Sequence, residues 1–364
     1  MRISTKKELL LDGIQAVIGV VTSKNTLPIL SNILIESDKN KVRFTATDLD
    51  IGMTTEKETD VIEDGSITAP AKRFIDIVKE LPEGKVELYT KKNHMVIIES
   101  KGIIFKILGI PKDEFPTLPN IDNKKTLSLK QPDLKKMLEM TCFAMSNDET
   151  RYVLNGVCFI VAKELIKTVA TDGRRLAIVS KKNETSFKED EKVIIPTKTI
   201  QALVHALKEK GEVKITFSQN QIMFTVDELR IVSRLIEGEF PNYEQAIPKE
   251  TKNKIKVSKD RLSAAIKRAS LLTTPESQAI KLQVGKDSLI VSKITPEIGE
   301  TQEDVEASYG GEGFLIGFNP TYLLDVLKAI GEQELAIELS GPDKPAVIRV
   351  DEEYIYIVLP MQIT

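Results

Sequence analysis

The sequence is poor in the residues that most catalytic and metal chemistry draws on. Its 364 residues hold two cysteines, two histidines and no tryptophan. Cys142 and Cys158 are too few for a disulfide framework, and both lie in apolar segments where they read as small core residues. His94 and His205 stand far apart in the chain, so neither a metal cluster nor a histidine-based triad assembles from them. His205 is flanked by Val204, Ala206 and Leu207 on a helical pattern and reads as a helix-packing residue. A Walker A loop, G-x-G-x-x-G, G-x-S-x-G and H-E-x-x-H are all missing. No catalytic residue, metal site or cofactor is therefore expected. No apolar run approaches the ~20 residues of a membrane span, and the opening MRISTKKELLLDG lacks a signal-peptide core. No membrane partner is expected, and a cytoplasmic location is. Aromatics make up only 5%, which leaves little for stacking on bases, and a net charge of −3 excludes a uniformly cationic nucleic-acid binder. If the chain meets DNA, its positive charge must be gathered on one surface.

What the sequence does have is a threefold repeat. A short strand and a helix open each third, in RISTKKELLLDGIQAV, LSLKQPDLKKMLEM and IKVSKDRLSAAIKRA, with Leu10, Leu134 and Leu262 as the first apolar helix anchors. Strand, turn, helix and strand follow in ITAPAKRFIDIVKELPEGKVELYT, VIIPTKTIQALVHALKEKGEVKITF and LIGFNPTYLLDVLKAIGEQELAIEL. Each of these second helices opens near proline, carries one apolar stripe and is expected to stop at Gly84, Gly211 or Gly331. A hairpin pattern closes each third, and polar, proline-bearing linkers lie near 120–125 and 248–253. Three domains are expected, at 1–125, 126–252 and 253–364, each an α+β unit with two helices on one face of antiparallel sheets.

Inside the repeat, Thr47-Asp48 and Thr171-Asp172 are equivalent and mark a tight turn between strands. Only the second copy continues with Gly173 and the pair Arg174-Arg175. Turn shape accounts for Thr-Asp-Gly but not for the arginines. Basic residues recur on the outward faces of equivalent helices: Lys72, Arg73 and Lys79; Lys135 and Lys136; Lys198 and Lys208; Lys259, Arg261, Lys267 and Arg268. The repetition points to a basic helical surface on an otherwise acidic body, suited to phosphate contact without sequence readout. Size adds a constraint. A domain of a third of this length has a diameter of roughly 30–35 Å, so three in a ring leave almost no hole and six leave one of about 30 Å. A duplex needs more than ~16 Å, so a monomer cannot encircle DNA whereas a head-to-tail dimer can.

Nine segments in order, among them TLPIL, TATDL, TAPAKRF, DEFPTL, RYVLNG, VATDGRRLA, GEFPNY, IGFNPTYLLDVL and the terminal IVLPMQIT, make the whole chain resemble the bacterial β sliding clamps, processivity subunits of the replicative DNA polymerase. The resemblance implies a homodimeric ring of six similar domains with helices lining the hole. It implies partners too: duplex DNA bound without sequence preference, the polymerase catalytic subunit, the clamp loader, and repair polymerases and mismatch-repair proteins that dock through short apolar peptides. The matching peptide-binding positions are Leu154, Thr171, Gly173, Arg174, Arg175, Leu176, Pro241, Asn319, Tyr322, Val358, Leu359, Pro360 and Met361. Arg175 is expected as a wall whose stem packs while its guanidinium stays wet. Lys24, Arg73, Arg151 and Lys198 are the implied DNA contacts, and Phe105 and Ile107 would meet Leu271 and Leu272 across the dimer seam. Arg174, Gln245, Ser277 and the tail 361–364 depart from the pattern of that family, which bears on peptide preference. Two rival readings stand beside this one: a non-encircling protein adaptor of the same fold, and an enzyme using Asp172 with Arg174-Arg175.

Overall fold

The computed structural model describes residues 1–22, 27–119, 121, 125–185, 187, 189–249 and 253–363. Among them are six α-helices: α1 (Lys7–Ile18), α2 (Ala71–Glu80), α3 (Gln131–Glu139), α4 (Thr197–Ala206), α5 (Lys259–Ser270) and α6 (Pro320–Ala329). The anchors Leu10, Leu134 and Leu262 are all buried, as their spacing demands. The second helix of each repeat departs from expectation at its end. α2, α4 and α6 stop short of Gly84, Gly211 and Gly331, at Leu81, Leu207 and Ile330, which turn to extended backbone. All three are buried, so the apolar side chain next in line leaves the helix to fill the core and no left-handed glycine cap is needed. His205 also departs: it is exposed, because α4 buries Thr199, Ile200 and Leu203 on the opposite face.

The chain divides into two compact units. One holds Met1–Lys135, Thr185–Phe187 and Ile195–Ile236; the other holds Lys136–Glu184, Lys188–Ile194 and Glu237–Thr364. The first contains a five-stranded sheet in the order Asp60–Glu63, Arg2–Lys6, Lys85–Thr90, Met95–Ser100, Ile103–Leu108. It also contains an eight-stranded sheet in the order Thr126–Lys130, Glu212–Phe217, Gln221–Val226, Leu229–Arg234, Ile51–Glu58, Lys41–Thr47, Asn32–Asp38, Gly65–Pro70. α1 packs on α2 and on the strands Lys41–Thr47 and Ile51–Glu58.

The second unit is built on one twelve-stranded sheet. Its order is Glu191–Pro196, Gly156–Val161, Leu165–Thr171, Arg175–Lys182, Tyr354–Val358, Ala346–Val350, Glu334–Glu338, Lys254–Ser258, Gly299–Tyr309, Ser288–Thr295, Ile280–Val284, Phe314–Phe318. Here α5 packs on α6 and on the strands Ser288–Thr295 and Gly299–Tyr309. Each large sheet joins two repeats through one strand pair. Leu229–Arg234 runs antiparallel to Ile51–Glu58 with Ile231 opposite Met53, and Tyr354–Val358 runs antiparallel to Arg175–Lys182 with Tyr356 opposite Ala177.

Candidate functional site

The Thr-Asp turns are built by their own side chains. At the second copy, Asp172 Oδ1 accepts from the amides of Arg174 (2.8 Å) and Arg175 (3.0 Å). Thr171 Oγ1 donates to the Arg175 carbonyl (2.6 Å) and accepts from the Gly173 amide (3.0 Å). Gly173 takes φ +85°, a left-handed conformation that costs glycine little. The turn thus leaves Arg174 exposed while Leu176 enters the core.

Arg175 overturns the expectation of a wet guanidinium. Its side chain is only 9% exposed, with Nε 3.1 Å from Asp172 Oδ2 and Nη1 2.5 Å from Asp325 Oδ2. Nη2 donates to the Phe143 carbonyl, and the guanidinium carbon stands 4.4 Å from the centroid of the Tyr322 ring and 5.6 Å from that of Phe143. Burial works against this charge, but the hydrogen bond to Asp325 and the negative charges of Asp172 and Asp325 outweigh it and raise its pKa. A guanidinium has five donors in a planar fork, and here Nε, Nη1 and Nη2 each give one, to two carboxylates and a carbonyl. The physical reason for the miss is Asp325, a lone acid on the α6 stripe whose side chain draws the charge inward. Tyr356 completes the group by donating to the Tyr322 carbonyl (2.8 Å), and burial pushes its phenol pKa up.

The C-terminal residues run alongside. The Leu359 amide donates to the Arg174 carbonyl (2.9 Å) and the Met361 amide to the Gly317 carbonyl (2.8 Å). A Cβ on Gly317 would lie 2.7 Å from the Met361 carbonyl oxygen, so only glycine lets the tail pass this close. Asn319 caps α6 by accepting from the Thr321 amide (2.9 Å). The structure therefore brings together Thr171, Gly173, Arg174, Arg175, Leu176, Asn319, Tyr322 and 358–361. Leu154 is buried at the end of a 3-10 turn, and Pro241 is exposed beside Phe240. Phe143, Asp325, Tyr356 and Gly317 were missed by sequence reasoning. Asp325 alone had a signal, as the single charge among the apolar residues of TYLLDVL.

Sequence models of the DNA polymerase III beta subunit match the chain three times: the N-terminal domain at 1–119, the central domain at 128–242 and the C-terminal domain at 244–362. The beta sliding clamp of Pseudomonas aeruginosa is 32% identical over 367 residues, covering all of both chains. The chain belongs to the DNA polymerase III beta subunit family. A beta sliding clamp of Chlamydia pneumoniae is 31% identical over 350 residues, 96% of each chain. Two crystal structures, of the Bacillus subtilis DNA polymerase sliding clamp and of the Pseudomonas aeruginosa sliding clamp bound to griselimycin, each superpose with a TM-score of 0.94 at 32% identity over the whole of both chains. The function that goes with this family is that of a DNA sliding clamp, a processivity factor in replication.

For a beta subunit, the disposition of cations matters. Lys24 lies outside the described residues. Arg73 is exposed on α2. Lys198, at the start of α4, bonds the Asp48 carboxylate and donates to the Val20 carbonyl (3.0 Å), so much of its charge is spent at a turn of its own chain. Arg151 Nη1 donates to the Asp172 carbonyl (3.2 Å), which sets it against the Thr-Asp turn. Several other helix-borne cations are paired: Lys135 with Glu209, Arg261 with Glu306, and Arg268 with Glu303, which holds the Glu303 carboxyl below its ordinary range. Lys208 lies past the end of α4 and pairs with Asp227. The seam candidates sit on exposed apolar surface. Phe105 and Ile107 are half-buried on an edge strand, whose neighbours Ile103, Ile104 and Leu108 are more exposed. Leu271, closing α5, is 80% exposed, and Leu272 is half-buried.

Proposed function

We propose that two copies close head to tail into a ring around duplex DNA. One observation carries this reading. In each of two repeats, a Thr-Asp strand is paired on its far side by the last hairpin strand of the next repeat. Two counterparts are left over: Ile103–Leu108, which among the described residues pairs only with Met95–Ser100, and the first half of Gly299–Tyr309, which among them pairs only with Ser288–Thr295. They are complementary ends of one pattern, and an edge carrying Ile103, Ile104 and Leu108 demands cover. Carrying the register across, Phe105 would oppose Glu300 of the partner subunit. A contact of this head-to-tail kind closes after two copies and yields six repeats around one axis.

The same reading takes the three domains as 1–125, 126–252 and 253–364, and the three family matches support it. It takes Arg73 as a phosphate contact with no sequence readout, and Lys198 as a cation held at the Asp48 turn. It treats the chain as a cytoplasmic, non-catalytic accessory subunit, and the residues gathered around Arg175 as the dock for apolar peptides of the replicative polymerase, the clamp loader and repair proteins. The griselimycin-bound relative supports a ligand site on this fold. Retention on DNA tests enclosure: the protein should stay on nicked circles and slip from linear ends, and equal retention on both would leave an adaptor without a ring. Native mass spectrometry should find twice 40.6 kDa. Leu271→Ala combined with Leu272→Ala should weaken that dimer, since each removes a side chain worth ~1.5–3 kcal/mol when covered.

A further inference from the structure

The loop headed by Leu271 is held from within by two residues of one strand. Along Ser288–Thr295, Lys293 and Thr295 are buried while Ile294 between them is exposed, so both side chains point into the unit. Lys293 Nζ donates to the Ser277 carbonyl (2.7 Å), the Ser277 hydroxyl (2.6 Å) and the Ala279 carbonyl (2.9 Å). An ammonium has three donors, and all three go to neutral acceptors on one short loop. Lys293 is only 2% exposed, and among the described residues no carboxylate pairs with it. Burying a charge without a counter-ion is costly, so the fixed loop geometry comes at the expense of stability. Thr295 Oγ1 donates to the Leu272 carbonyl, just past the end of α5 where no helical partner is available. The loop also closes on itself. Thr273 Oγ1 donates to the Ser270 carbonyl (2.8 Å), and the amides of Thr274 and Ser277 each donate to the other's carbonyl (3.2 and 3.1 Å). A loop that stays in water needs no buried charge to shape it. One whose apolar side chains must meet a partner loses less freedom on contact if it is ordered beforehand.

We propose that Lys293, with Thr295 beside it, is a positioning residue for the subunit seam: it presets the 271–279 loop so that Leu271 and Leu272 meet the edge strand of a second copy in one arrangement. This deepens the head-to-tail reading above and rests on it. Ser277, one of the departures from the family pattern, belongs to this clasp.

The test is a double-mutant cycle on the full-length protein, with the dimer dissociation constant read by analytical ultracentrifugation on dilution and the fold by circular dichroism. Lys293→Met keeps most of the stem and removes the ammonium. It should weaken the dimer at least about tenfold, and Thr295→Val, which deletes one bond, about threefold to fivefold, with the spectrum of the protein unchanged. In a Leu271→Ala background Lys293→Met should weaken the dimer far less, because the side chain that the loop presents is gone. A Lys293→Met dimer as tight as the wild type, or a loss that adds in full to that of Leu271→Ala, makes the lysine a packing residue only and overturns the assignment. If Lys293→Met does not fold, Thr295→Val decides by the same two comparisons. A monomeric wild type, or a dimer that Leu271→Ala leaves as tight as before, overturns the seam reading and this inference with it.

Discussion

The turns at Thr47-Asp48 and Thr171-Asp172 are the same object built twice. In both, the aspartate Oδ1 accepts from the amides two and three residues on, and the threonine hydroxyl closes the loop. The third turn residue is left-handed in each, at φ +82° for Leu49 and +85° for Gly173. The remaining oxygen, Oδ2, meets a cation in both, but from different sources. Lys198 reaches Asp48 from α4, whereas Asp172 is served by Arg175 from its own strand, and Arg175 then reaches Asp325 on α6. So each turn is tied to the second helix of the following repeat by an ion pair of opposite polarity. The first turn is also covered by its own chain, since the Leu118 side chain lies where a Cβ on Gly52 would stand. The second has Leu176 at that register position. The duplicated turn is one scaffold in which a different element provides the cation in each copy, and on the docking reading proposed above only the second copy receives a ligand.

Removing Arg175 tests that contrast most severely. Arg175→Ala strands Asp172 and Asp325, so it should cost about 3 kcal/mol in denaturant unfolding and abolish peptide binding. A loss under 1 kcal/mol would mean the node is not structural. Next, Gly173→Ala should cost about 1–2 kcal/mol, through backbone strain and displacement of Arg151. Lys198→Met, at a more exposed pair, should cost about 1 kcal/mol and largely lose that effect in an Asp48→Asn background. If it instead leaves stability unchanged and lowers only the salt slope of DNA binding, Lys198 is a free phosphate contact. Alkali should single out the second unit. Burial pushes the Tyr243 phenol up to about 12 and raises Tyr354 and Tyr356 as well. The unfolded phenols ionise near pH 10, so stability present below that pH should fall as pH climbs from ~10 towards 12. Tyrosinate absorbance whose last part rises only together with loss of circular dichroism checks this. Smallest of all, Leu49→Gly should change stability by no more than ~0.5 kcal/mol, since relief at φ +82° is offset by a freer unfolded chain.

Much of this fold was legible because local chemistry and the repeat agree. Leu10, Leu134 and Leu262 mark helix faces at 3.6-residue spacing, and Thr-Asp announces a turn whose bonds span at most four residues. The helix ends were misread because glycine is a strong stop signal on paper, whereas burial of Leu81, Leu207 and Ile330 decides where the backbone leaves the helix. Arg175 lies beside the Thr-Asp turn as its sequence position requires, but its guanidinium is buried where a wet one is expected. Its fate depends on Asp325, 150 residues away, a distance at which sequence patterning carries no information.

The tail along this site is held at Leu359 and Met361, whose amides bond Arg174 and Gly317. Gln362 comes immediately after the second anchor and points to solvent. On the docking reading proposed above, a small dye attached there through cysteine substitution would sit within reach of an arriving ligand without disturbing either bond, giving an optical gauge of occupancy on the intact protein.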